Sequence, residues 1–285
     1  MRFWSISCGD PLDLQEEFKN LPVLWVDQSG RLIAKVNPDA PDRYVIEFPR
    51  YGCAEISLSD RNIQMHPAAP HLLPDTLQHL LVDQVLPRVI AHEHRLVLHA
   101  GAVQRSGGAI IFIGESGRGK STLSASLQGQ GWTLLGDDAL IISGKDDVFF
   151  GEATYKSLRL LPDSIAALYA TEPKLKPVAH YTRKQRVALP FSPSIGVSPI
   201  QAIFILTDEP QGATITVERM SAAKTCMALI TNSFALDPTD TARAKQKLSI
   251  ASDMAMHVPA FELSYPRDYT RLSEVHEAIQ NAIDS

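Results

Sequence analysis

The sequence predicts an α/β core carrying a smaller, mostly-β module at its N-terminal end. Three observations predict it. Ala109-Ile110-Ile111-Phe112-Ile113 is a continuous apolar run, the pattern of a strand buried on both faces. A glycine-rich loop follows it, then a helix pattern through Leu123 and Leu127 that Gly129 and Gly131 terminate. Residues 1–72, by contrast, show short strand-like segments separated by turn signals.

The elements can be taken in order. Val23-Leu24-Trp25-Val26, the turn Asp27-Gln28-Ser29-Gly30 and the run Arg31 to Val36 predict a hairpin. Residues 44–48 and 54–58 predict two further strands, and Pro67, Pro70 and Pro74 a loop. An apolar, helix-spaced stretch covers 77–90, with Pro87 expected to kink or split it. Strands are expected over 96–100, 109–113, 132–135 and 139–142, and a turn over 104–108. Residues 158–169 are expected to become helical after their first few positions, and 171–198 to form a long basic loop. A second hairpin is expected between 200–206 and 213–218, across Pro210-Gln211-Gly212. Helices are expected over 222–232, 239–256 and 271–283, and a late strand over 260–263. The division is a mostly-β module over 1–72 and a core domain over 73–285.

Composition narrows the function classes. The chain has 285 residues, 45% hydrophobic and 21% charged, which excludes a disordered polymer. Its 32 acidic and 27 basic residues give a formal net charge of −5, which provides no global attraction to nucleic acid or anionic lipid. No apolar run approaches the roughly 20 residues that cross a bilayer, and the first residues do not read as a signal peptide. Cys8, Cys53 and Cys226 are far apart and odd in number, which suits a reducing, cytoplasmic setting.

The chemistry is carried by Gly114-Glu115-Ser116-Gly117-Arg118-Gly119-Lys120-Ser121, which fits G-x-x-x-x-G-K-[ST] and is followed by Thr122. Glycines let the backbone curl so that successive N–H groups face phosphate oxygens, and the helix beginning near Lys120 adds its positive end. In this motif Lys120 reaches the β- and γ-phosphates of ATP, and the Ser121 hydroxyl holds Mg²⁺. Asp137-Asp138 ends the next core strand, where such proteins hold Mg²⁺. Two adjacent carboxylates offer two roles, one on the metal and one accepting a proton. His99, on the strand before the loop, reads by itself as a core histidine; His92-Glu93-His94 lacks the spacing of a zinc motif.

Leu98-His99-Ala100-Gly101-Ala102-Val103, residues 114–121 and Leu135-Gly136-Asp137-Asp138-Ala139 together resemble the bacterial HPr serine kinase/phosphorylase group, whose core is shared with phosphoenolpyruvate carboxykinases. Leu158 to Ser164 and Leu263-Ser264-Tyr265-Pro266-Arg267 resemble segments of shorter HPr-kinase-like proteins of biosynthetic clusters, including those that phosphorylate lasso-peptide precursors. The resemblance implies a catalytic set of Asp137 as general base, His99 assisting it, and Lys120. Asp138 then joins Ser121 at Mg²⁺, or the two aspartates exchange roles. It also implies oligomeric assembly. Family members carry a Glu two residues before a signature Arg and a Gly after it. Here Ser157-Leu158-Arg159-Leu160 keeps only the Arg, which turns the expectation away from HPr itself. Arg159, Lys184 and Arg186 are the expected acceptor-side contacts.

The function these readings predict is transfer of the γ-phosphoryl of ATP to a hydroxyl, foremost a serine of a peptide or small protein. The alternatives are a small-molecule alcohol kinase and a non-catalytic ATP-binding regulator. A carboxykinase-like activity ranks below them, because no further metal ligands or acid-binding arginine set can be identified. The paired aspartates weigh against the regulator, since sensing a nucleotide needs no base.

Overall fold

The computed structural model describes every residue except 1–3, 28, 29, 31, 94, 95, 156, 172, 189–195 and 211. Gln28, Ser29 and Arg31 of the first expected hairpin, His94 of the His-Glu-His run and Gln211 of the second hairpin turn therefore lie outside the described residues. The chain forms two compact units. One comprises Met1–His92, Val178–Thr182 and Ala235–Thr241; the other comprises Glu93–Pro177, Arg183–Phe234 and Ala242–Ser285.

The first unit contains β1 (Ser5–Cys8), α1 (Leu14–Glu17), β2 (Val23–Val26), β3 (Ile33–Asn37), β4 (Ala40–Phe48), β5 (Gly52–Ser57) and β6 (Asn62–Pro67). They form one sheet in the order β1-β6-β5-β4-β3-β2, with β1 parallel to β6 and the other pairs antiparallel. β1 escapes a pattern search because all four of its residues are exposed, so it shows no apolar alternation.

The stretch expected to be helical over 77–90 is α2 (Pro74–Leu80), a π-helical turn (Leu81–Val85) and α3 (Leu86–His92). Pro87 falls just after the wide turn, where the hydrogen-bond register changes and a missing N–H is least costly. Leu80, Val85 and Val89 pack in one core with Ile46, Ile56 and Ile63 of the sheet. That packing carries the first unit to His92, past residue 72.

The second unit continues with β7 (Leu96–Leu98), β8 (Ala100–Arg105), β9 (Gly108–Ile113), α4 (Lys120–Gln128), β10 (Thr133–Gly136), β11 (Leu140–Lys145), β12 (Val148–Ala153), β13 (Leu158–Leu160) and α5 (Pro162–Leu168). Then come β14 (Leu175–Pro177), β15 (Gln185–Val187), β16 (Val197–Leu206), β17 (Thr216–Arg219), α6 (Ala222–Thr231), α7 (Thr241–His257), β18 (Ala260–Ser264) and α8 (Leu272–Asp284). The main sheet runs β10-β8-β9-β16-β12-β11-β7, with β18 on β16 and β17 on β18. β9 lies antiparallel to β8 and parallel to β16, and β18 is parallel to β16.

β9 is buried at every position, as its apolar run predicts. Ile110 and Phe112 join one core with Leu123, Phe204 and Val275, while Ala109, Ile111 and Ile113 join another with Leu135, Ile203 and Met254. This is the period of two of a strand packed on both faces.

Two expectations are corrected. β16 and β17 do not form a hairpin, because β18 inserts between them and pairs with both. The span 171–198 is not simply a loop: β14 and β15 join β13 in a three-stranded antiparallel sheet.

In the first unit Lys35 and Glu47 form a buried ion pair at 2.5 Å, and Lys35 Nζ also donates to the Phe18 carbonyl at 2.9 Å. Removing one partner strands the other charge without water. Glu47→Ala should therefore destabilise the unit by about 3–5 kcal/mol, and Lys35→Met combined with Glu47→Leu by much less. Urea unfolding of the three proteins checks this; equal losses in the single and double variants would contradict it.

Candidate functional site

The loop between β9 and α4 begins at Gly114 and closes at Gly119, the N-cap of α4, whose φ of 92° is the left-handed region that favours glycine. Close approach adds a second reason for glycine there: a Cβ would lie 2.7 Å from the Tyr265 hydroxyl. Glu115, Ser116 and Gly117 are exposed along the loop, and Arg118 is held by Glu115 and Asp208. The first α-helical bond, Leu123 N–H to the Gly119 carbonyl, is 2.8 Å.

Lys120 is buried and folds back over the loop, its Nζ donating to the carbonyls of Gly114 at 2.6 Å and Glu115 at 3.0 Å. Burial lowers its pKa to about 8, offset by the attraction of Asp137. Thr122 Oγ1 lies 3.1 Å from Ser164 Oγ, which lies 3.0 Å from the Tyr269 hydroxyl.

β10 ends beside the first turn of α4 and delivers the aspartate pair. Gly101 on β8 permits the close packing of α4, since a Cβ there would meet Ser124 Oγ at 2.7 Å. Asp137 is only 1% exposed. Its Oδ1 accepts from the Ser121 hydroxyl at 3.0 Å, and its Oδ2 faces the Arg159 N–H at 3.4 Å. Burial pushes its carboxyl up to about 6, against the Ser121 bond and the nearby Lys184 and Lys120.

Asp138 has a different setting. Its φ is 78°, and its carboxylate forms an ion pair with the buried Arg159. His99 Nδ1 lies 3.0 Å from the Asp138 carbonyl and 3.9 Å from its Oδ1. A carbonyl only accepts, so Nδ1 carries the proton. The ring of Phe234 meets that of His99 edge-on at 6.0 Å.

Of the two assignments that the sequence leaves open for the pair, the geometry brings Ser121 to Asp137, while the carboxylate of Asp138 meets Arg159. His99 is brought to Asp138.

The expected acceptor-side residues converge through the three-stranded sheet. Arg159 of β13 is paired in register with Arg186 of β15. Directly opposed like charges repel unless anions lie among them; Asp138 serves Arg159, and Arg186 Nε is buried without a hydrogen-bond partner among the described residues. Burial lowers the pKa of Lys184, countered by Asp137. Tyr155 was not singled out from sequence; burial first, then Asp137, pushes its phenol well above the ordinary range, against Arg186. Nothing near it in the sequence signals that position.

No family model matches the chain. A stretch of 67 residues is 33% identical to an HPr kinase/phosphorylase of Mycoplasmopsis pulmonis, covering 24% of this chain and 22% of that protein. The match thus spans less than a quarter of that relative's length. An Hpr(Ser) kinase/phosphatase from Coxiella burnetii aligns at a TM-score of 0.31 and 12% identity over 65% of this chain and 88% of that one. Among the described residues no helix is long and apolar enough to cross a membrane.

The raised Asp137 carboxyl has a consequence for stability. Folding favours its protonated form, so its penalty is absent below pH 4 and grows as pH rises towards about 6. The full penalty is on the order of 3 kcal/mol. Asp137→Asn without nucleotide should therefore unfold at higher urea than the parent at pH 7.5, the gap closing towards pH 4. A less stable Asn variant at pH 7.5 would mean that Lys120, Lys184 and Ser121 outweigh burial.

Proposed function

We propose that this chain is an ATP- and Mg²⁺-dependent phosphotransferase that moves the γ-phosphoryl group onto a hydroxyl, a serine of a peptide or small protein. The observation that carries the reading is the separation of two adjacent carboxylates. Asp137 is sealed against Ser121 at the foot of a glycine-rich loop, and Asp138 stands apart with His99 and Arg159. The local likeness to an HPr kinase/phosphorylase supports the same class.

Ser121 Oγ and the Asp137 carboxylate are oxygen donors of the kind Mg²⁺ takes, and a buried carboxylate disfavoured as an anion has most to gain from a cation. Mg²⁺ held there by Ser121 and Asp137 would supply positive charge against the phosphate chain. The loop N–H groups and Lys120, released from the Gly114 and Glu115 carbonyls, bind the phosphate chain.

Asp138 then takes the base role, the exchanged assignment of the pair that the sequence resemblance leaves open. As the acceptor oxygen bonds to the γ-phosphorus, the bridging P–O bond to the β-phosphate breaks. ADP leaves with that electron pair, and the hydroxyl proton passes to the Asp138 carboxylate. His99 holds the Asp138 backbone and lies beside its carboxylate, while Arg159 orients that carboxylate. Arg186 and Lys184 supply positive charge on the acceptor side, where a transferring phosphoryl group needs it. The resemblance to kinases of biosynthetic clusters makes a peptide encoded nearby the first acceptor to test.

Incubation with ATP, Mg²⁺ and serine-bearing peptides encoded beside the gene, read by intact mass, should show the gain of one phosphate on a peptide. Lys120→Ala should slow this by about 10²–10³-fold, through lost charge stabilisation. Asp138→Asn should slow it by about 10²–10⁴-fold, through loss of the base. An Asp138→Asn enzyme working within a few-fold of the parent would remove the base assignment. Phosphate gain on none of the peptides would remove the peptide acceptor.

A further inference from the structure

In-line transfer places the acceptor oxygen and the leaving β-phosphate oxygen on opposite sides of the γ-phosphorus. The acceptor pole lies at the end of β10, which β8 separates from the loop strand β9. The nucleoside end of the triphosphate then lies towards the other flank, where β16 and β18, both running in the direction of β9, have their carboxyl ends. Open α/β sheets bind ligands in the crevice beyond those ends.

One segment dominates that flank. From the end of β18, residues 264–269 touch the start of α4 twice. The Tyr265 hydroxyl fills the space a Cβ would need at Gly119, and the Tyr269 hydroxyl reaches Thr122 through Ser164. Arg267 stands between these contacts. Its guanidinium stacks on the Tyr265 ring at 4.0 Å, Nη2 donates to the Thr207 carbonyl at 2.7 Å, and its backbone N–H donates to Glu209 at 2.9 Å. Nη1 is buried and has no hydrogen-bond partner among the described residues.

An unpaired buried donor is costly, and a guanidinium fixed on one face by an aromatic ring can stack a second flat ring on the other. A nucleoside offers both the acceptor atoms and the flat ring. Ser264 Oγ, donating to the Asp208 carbonyl at 3.0 Å, ties the loop after β16 to that after β18, so Arg267 is held from both.

We infer that residues 264–269 form the nucleoside subsite, with Arg267 contacting the base and ribose while the glycine-rich loop takes the phosphates. This rests on the phosphotransferase reading above, and the two can fail separately. Calorimetry on the full chain would compare Mg²⁺–ATP with Mg²⁺–tripolyphosphate, which has the phosphates and no nucleoside. Arg267→Met keeps an apolar stem over Tyr265 and removes the guanidinium. It should weaken ATP binding by about ten-fold or more and leave tripolyphosphate within about two-fold.

Retained tripolyphosphate binding also reports that the loop is folded. Should Arg267→Met not fold, Arg267→Lys carries the test, since it keeps the charge and loses the planar fork; the same selective loss is expected. Unchanged ATP affinity, or equal loss of both ligands, would overturn the subsite while leaving the phosphate loop in place. A parent protein that binds neither ligand would overturn the phosphotransferase reading itself.

Discussion

The burial of one carboxylate organises the second unit. Asp137 is withdrawn from water just beyond β10, beside the first turn of α4, where the Ser121 hydroxyl and the Arg159 N–H face its carboxylate. Placing an anion there is unfavourable by itself, as its raised pKa reports. Neighbouring charges offset part of that cost, since Lys120 and Lys184 both interact favourably with it. A core built only for stability would place an apolar residue there.

Two adjacent residues of one type have different surroundings. Both lie beyond Gly136, the last residue of β10; the carboxylate of Asp137 meets Ser121, while that of Asp138, at a φ of 78°, meets Arg159. Such a residue costs about 1–3 kcal/mol when held in a sparsely populated region, and Asp tolerates it better than most. Arg159 serves both, by its backbone to the first and its guanidinium to the second. The short sheet of β13, β14 and β15 thus couples the carboxylate pair to the basic residues at Lys184 and Arg186.

Much of this was legible in the sequence. The apolar run of β9, the glycine-rich loop and the helix after it are local patterns, each favoured by its own residues, and they appear where expected. The order of β16, β17 and β18 was not legible, because strand insertion is decided by tertiary pairing and leaves no mark on a hairpin-like spacing. β14 and β15 are three residues each, shorter than any periodicity can register. Which carboxylate of the pair meets Ser121 was not legible either, because spacing identifies a carboxylate pair and leaves both assignments open; the direction of each side chain is set by the folded backbone. Tyr155 reaches the site by tertiary packing and has no sequence signal.

The central claim is that the two carboxylates divide the work, one serving the cation and the other the proton. The most direct test is ATP affinity measured with and without Mg²⁺ for the parent, Asp137→Asn and Asp138→Asn. The account predicts that Mg²⁺ strengthens ATP binding in the parent and in Asp138→Asn to a similar degree, and that Asp137→Asn loses most of that gain. The reverse result, with Mg²⁺ dependence lost in Asp138→Asn and kept in Asp137→Asn, would contradict it.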